Sequence, residues 1–227
     1  MFSVLFEVRP DSDHWDDYLD RAKMLRPELE QIEGFIDNVR YRSLTREGWI
    51  LSVSVWRDEK ALVRWRTSAR HHGVQAEGRA ELLQDYRLRV GQITDDTDVP
   101  AGYELREQRL DESEIGPPTV VLTTGQWAPA LVGRATASEV ATWLGLDPGA
   151  AGLESWEVFD AVLEPGDAIL MTSWSSEAAA EVSQRAVVQR DGTRTRRVRV
   201  IRDYGLIDRR EAPQYYPDVS RSATGRT

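Results

Sequence analysis

Apolar and polar positions alternate from the start of the chain. Phe2, Val4, Phe6 and Val8 share one side of an extended segment, which predicts a strand over 2–8. Asp11 or Asp13 can cap a helix reaching about Gln31, because a carboxylate accepts from the free amides at a helix start. Gly34 breaks the chain. Phe35 to Leu44 reads as a second strand, Arg46-Glu47-Gly48 as a hairpin turn and Trp49 to Trp56 as a third strand. In that strand Leu51, Val53 and Val55 face one way, and Ser52, Ser54 and Trp56 the other. Asp58 caps a second helix through Trp65, and a broken helical stretch follows over 68–83. Asp85 to Ile93 alternates again, with Tyr86, Leu88 and Val90 on one face.

The order is βαββαβ, the ferredoxin-like pattern. Residues 94–118 are acidic and poor in strand signals, and read as a linker over the surface with room for a short helix. The pattern then repeats. A shift of 118 residues carries Gly48 to Gly166, Leu51 to Ile169, Trp56 to Trp174, Glu59 to Glu177, Ala61 to Ala179 and Asp85-Tyr86 to Asp203-Tyr204. An internal repeat decides architecture ahead of other signals. The expected fold class is α+β: two tandem ferredoxin-like units, 1–93 and 119–208, whose sheets face each other and close an intrachain dimeric α/β barrel with helices outside. The second unit has strands near 120–124, 156–163, 168–174 and 195–206, and helices near 137–144 and 176–188. The tail 209–227 begins as an ordered arm carrying Tyr215 and Tyr216.

Composition narrows the function. The 227 residues carry no Cys, which removes disulfides and thiolate chemistry. Imidazole comes only from His14, His71 and His72, and no ligand spacing suggests a metal site. A formal charge of −9 repels phosphate backbones, so no nucleic-acid partner is expected. No apolar run is long enough for a membrane span and no leader pattern opens the chain, which points to a cytoplasmic protein. The basic residues are nearly all Arg, the bias of a GC-rich bacterial genome. Arg194, Arg196, Arg197, Arg199 and Arg202 fall on both faces of one strand, and pairing with the acidic linker or another subunit is expected.

The run Trp56-Arg57-Asp58-Glu59-Lys60-Ala61, with Trp65, His71, Gln75, Gly78-Arg79 and Asp85 to Val90 after it and Gly34-Phe35 before it, resembles the antibiotic biosynthesis monooxygenase family. The resemblance covers 1–93 directly and 119–207 only through the repeat. It implies the dimeric α/β barrel and, for some members, oxidation of phenolic molecules by O₂ without cofactor. Other members degrade heme or have no known activity, and fold alone does not choose between them.

Cofactor-free oxygenation needs a base near neutral pKa, donors for a developing oxyanion and a dry pocket for a flat substrate. His71 or His72 supplies the base and Asn38, the only Asn, a donor. Arg40 or Arg66 can hold an anion, and Trp56 and Trp65 offer ring faces. Trp56 recurs as Trp174 and so also reads as scaffold. Trp65 becomes Ser183, His71 Gln189, His72 Arg190 and Asn38 Trp156, which assigns the chemistry to the first unit. In the resemblance's heme-degrading branch a His follows the helix Trp by ten residues and an Asn stands on the first strand. Here those places hold Gln75 and no Asn. The expectation is a monooxygenase or oxidase of a small aromatic or phenolic molecule in bacterial secondary metabolism, with O₂ and no cofactor, and with a homodimer as the candidate assembly. A heme protein and a non-catalytic binding protein are the alternatives.

Overall fold

The computed structural model describes residues 1–11, 13, 15–68, 82–127, 133–186 and 190–213. His14, His71, His72, Gln75, nearly all of the broken helical stretch and the tail from Gln214 onward lie outside them. The first unit comprises β1 (Phe2–Pro10), α1 (Trp15–Glu30), β2 (Phe35–Ser43), β3 (Ile50–Trp56), α2 (Glu59–Arg66) and β4 (Leu83–Asp96). The second comprises β5 (Thr119–Gln126), α3 (Ala137–Trp143), β6 (Leu153–Ala161), β7 (Asp167–Trp174), α4 (Glu177–Ala186) and β8 (Thr193–Gly205).

All eight strands form one closed antiparallel barrel in the order β1-β3-β2-β6-β7-β5-β8-β4. Closure removes the unpaired edges that each four-stranded sheet would otherwise present. The two seams differ in length. β4 and β8 pair over nine residues, from Arg87–Gly205 to Asp96–Arg196. β2 and β6 pair over three, Tyr41–Ala161 to Ser43–Phe159. Inward residues of both units, among them Leu5, Leu51, Val53, Leu122, Phe159, Ile169 and Val198, pack as an apolar core inside the barrel. Outward apolar residues meet the helices: Phe2, Trp56 and Val90 pack with Leu29 and Leu62, and Val158 and Leu170 with Val140 and Leu144.

The repeat is visible in fine detail. Gly34 and Gly152 both have positive φ (93° and 84°), which only glycine adopts without strain. A side chain on either would strike the helix behind it, at Ala61 Cβ (2.7 Å) and Ala179 Cβ (2.5 Å). β2 and β6 each shift register at the same place, between Phe35 and Asp37 and between Leu153 and Ser155. The Trp56 indole donates to Ser54 Oγ and the Trp174 indole to Thr172 Oγ1, both at 2.9 Å.

The shift of 118 holds through the hairpin and the helix but not through the last strand. Phe2 and Thr119 both stand at the start of a first strand, opposite Trp56 and Trp174. On their other side they face Gln92 and Arg199, which are 107 residues apart. The Asp85-Tyr86 and Asp203-Tyr204 correspondence is therefore not structural. The reason is length: 16 residues separate α2 from β4, and only six separate α4 from β8. His71 and His72 fall in the longer connection.

The linker contains no helix. It runs along β8, where Ser113 donates its amide to the Val200 carbonyl (2.8 Å) and Val200 donates to the Pro118 carbonyl (2.7 Å). Its acids meet the basic strand as expected: Arg199 pairs with Glu107 (2.8 Å) and Arg194 with Asp96 (2.7 Å). The start of the tail fastens it, because the Glu211 carboxylate accepts from Ser113 Oγ, the Glu114 amide and the Asp203 amide.

Candidate functional site

A cleft of about 360 Å³ opens in the second unit between the outer face of β5, β7 and β8 and the helices α3 and α4. Its volume lies in the lower part of the range for small-molecule sites, roughly 300–1,000 Å³. Val121, Leu170, Trp174, Trp143, Leu144 and Leu146 supply an apolar wall. Trp143 is held edge-on against Trp127, with centroids 5.1 Å apart.

The polar end is built on Arg197. Its guanidinium contacts Glu177 (3.1 Å), Glu181 (3.2 Å) and Gln184 (2.9 Å). Burial pushes the Glu177 carboxyl up, but hydrogen bonds from Arg199 and Thr94 and the charge of Arg197 outweigh it, so the group stays ionised below its ordinary range. Arg185 and Arg190 also line the cleft and are exposed. The described lining residues include no imidazole, and all three His lie outside the described residues.

Two differences between the described parts of the units coincide with the cleft. Ser183 on α4 lines it, whereas the matching position on α2 is Trp65, whose indole packs against the Phe2–Trp56 cluster. In addition, among the described residues α3 has 7 residues where α1 has 16. The exchange of Trp65 for Ser183 is legible in the sequence. Its consequence, an opened volume, is not.

In the first unit several predicted residues lie on the helix-facing side. Asn38 Nδ2 donates to Ser52 Oγ (2.9 Å) and to the Val53 carbonyl (3.2 Å). Arg40 reaches the Tyr18 hydroxyl from α1; burial pushes that hydroxyl up and the guanidinium pulls it part of the way back. Trp56 is fully buried against Phe35, with no ring face open to a ligand. Trp65 is half-buried in the same cluster, and Arg66, at the end of α2, acts electrostatically on Tyr204. The structure thus brings Asn38, Arg40, Tyr18 and Ser52 to one side of the sheet, while His71 and His72 lie outside the described residues. Among the described residues no group of three His, Asp or Glu could hold a metal ion, and no helix is long and apolar enough to cross a membrane.

A closed eight-stranded barrel of two ferredoxin-like units, with a ligand-sized cleft between sheet and helices, defines a tandem dimeric α/β-barrel protein. The family model described as antibiotic biosynthesis monooxygenase matches residues 1–77. A protein named jasmonate monooxygenase ABM, from Pyricularia oryzae, is 46% identical over 224 residues, covering 97% of this chain and 100% of that one. The chain belongs to the antibiotic biosynthesis monooxygenase family. A crystal structure of aldoxime dehydratase superposes with a TM-score of 0.53 at 12% identity, over 88% of this chain and 80% of that one. A second, in complex with butyraldoxime, does so with a TM-score of 0.50 at 14% identity, over 91% and 80%. Both show the fold alone.

Proposed function

We propose that the chain is a monooxygenase that binds a small, mainly apolar carboxylate in the second-unit cleft and oxidises it with O₂ without metal or flavin, one oxygen atom entering the product and the other leaving as water with two electrons from an external reductant. The observation that carries this reading is the cleft itself, with its apolar wall of Trp143, Leu146, Leu170 and Trp174 and its arginines at one end. The full-length relative's name supports the substrate class, since a jasmonate is a carboxylate. In this arrangement the apolar wall excludes water and orients the body of the substrate. Arg190 or Arg185 meets its anionic end, and Arg197 fixes the carboxylates of α4 that border the reacting volume.

A second reading places an aromatic, phenol-like substrate in the first unit with His71 or His72 as base. The polar group of Asn38, Ser52, Arg40 and Tyr18 on the helix-facing side favours it. The two readings separate by substitution. Oxygen uptake and product formation by the purified chain are followed with a jasmonate and with a hydroquinone. Ser183→Trp restores the bulk found at Trp65 and is expected to abolish turnover of the carboxylate while circular dichroism stays native. Full turnover in Ser183→Trp, together with its loss in a His71→Ala, His72→Ala double variant, would move the chemistry to the first unit. A Soret band titrating to one heme per chain on addition of hemin would overturn the cofactor-free assignment.

A further inference from the structure

The 107-residue relation between β4 and β8 exposes an asymmetry inside the barrel. Arg87 of β4 makes a two-point pair with Asp203 of β8, at 2.9 and 2.5 Å. Arg194 of β8 makes the matching pair with Asp96 of β4, at 2.8 and 2.7 Å. Both partners of one pair are 107 residues from those of the other, so the long seam carries the same ionic lock at each end. Two residues further along each strand stands a second arginine. Arg89 lies opposite Leu5 and Arg196 opposite Leu122, and both leucines belong to the barrel core. Residues directly opposite in an antiparallel ladder share a face, so both arginines point inward.

The two are treated differently. Arg89, 1% exposed, donates to Glu7 (2.7 Å) and to Ser173 Oγ (3.0 Å) and touches Met171 Sδ. The Glu7 carboxylate is shared with Arg46, which also pairs with Glu157. Arg196 is 6% exposed and, unlike Arg89, forms no hydrogen bond or ion pair through its side chain among the described residues; the Nε of each is buried without a partner.

The largest difference is an exchange in β5. Glu7 lies between Leu51 and Arg87, and the residue placed likewise between Ile169 and Arg194 is Thr124. The Ser173 and Met171 positions correspond to Val55 and Val53 in the other unit. Around Arg196, Asp96 is already committed to Arg194, Asp37 holds the Asn38 amide, and the Tyr41 hydroxyl is pushed up to about 12, chiefly by burial, and stays neutral. A buried charge with no counter-charge in hydrogen-bond reach is strongly unfavourable, and a guanidinium fork matches the two oxygens of a planar carboxylate.

We infer that the mouth of the barrel at Arg196, with Thr124 and Tyr41 beside it, is a binding site for a small carboxylate that takes the place Glu7 occupies at the opposite mouth. This site faces the barrel interior, whereas the cleft lies on the outer side of the same strands, so the inference stands independently of the proposed substrate.

The test follows the thermal midpoint against added sodium formate and sodium acetate, with sodium chloride as a third arm, in the wild type, Arg196→Met and Thr124→Glu. A ligand of the folded state at 100 times its dissociation constant raises the folded-to-unfolded ratio about a hundredfold. The expected result is a saturable rise with formate and acetate in the wild type, a smaller one with chloride, and none beyond the common salt effect in either variant. Thr124→Glu should also raise the midpoint in carboxylate-free buffer, because it rebuilds the Glu7–Arg89 pair. If that variant does not fold, Arg196→Met against Arg89→Met keeps the comparison: the first should hold or gain stability and the second lose it. Identical titrations in all three proteins would reduce the effect to bulk salt and overturn the site. A chloride response equal to that of formate would overturn the carboxylate class.

Discussion

Glu7 is the residue on which most buried charge depends. Burial alone would push its carboxyl up, but the guanidinium groups of Arg89 and Arg46 outweigh it and hold the group below its ordinary value. A carboxyl whose folded pKa is depressed contributes stability that is complete above its unfolded value and is lost as pH falls through the folded one. Stability is therefore expected to fall on the acid side of about pH 4.5, the ordinary value of such a group, as protonation leaves Arg89 buried without its counter-charge. Glu7→Gln should flatten this limb of the urea-midpoint profile and cost about 3–5 kcal/mol at neutral pH, the range for breaking one partner of a buried pair. An unchanged acid limb would assign the acid sensitivity to other carboxylates. None of this is legible in the sequence, where Glu7 is one polar position in an alternating strand and Arg89 one of many arginines.

At the scale of elements the sequence is far more transparent. Alternation, the Gly34 and Gly48 breaks and the Asp58 cap place the hairpin and its helix to within a residue or two, because each rests on local chemistry. The cap is realised as a hydrogen bond from the Ala61 amide to Asp58 Oδ1 at 2.8 Å. Asp58→Ala should destabilise the protein by about 1 kcal/mol, read as a lower urea midpoint with unchanged slope. No change would mean that packing of Ala61 and Leu62 alone holds the helix. The last strand escaped because a change in loop length leaves the spacing of Asp85-Tyr86 and Asp203-Tyr204 intact as letters while moving the register. The cleft escaped for a related reason. Loss of Trp65, His71 and Asn38 in the second unit reads as decay, yet Ser183 in place of Trp65 is what leaves room for a ligand.

For the molecule as a whole, the two seams set where the barrel gives way. Nine ladder pairs and two ionic locks close β4 on β8, against three pairs where β2 meets β6. Sub-global opening follows the least-protected boundary. Amide exchange should therefore be faster at 41–43 and 159–161 than along 88–93 and 198–204. Equal protection at both seams would show that the barrel opens only by global unfolding.

The path of the linker carries a further consequence. Residues 97–118 join the end of β4 to the start of β5: Val99, Tyr103 and Leu105 pack against the barrel core, the later residues cross the outside of β8, and Leu110 between them is 77% exposed. A single cut there would leave each half with its own four strands and both seams intact. The chain would become a two-piece protein held by its own barrel, and the halves, mixed as separate polypeptides, would be natural fragments for a complementation reporter. What the covalent link provides is then effective concentration, while the contacts of the strap with β8 remain on either side of the cut.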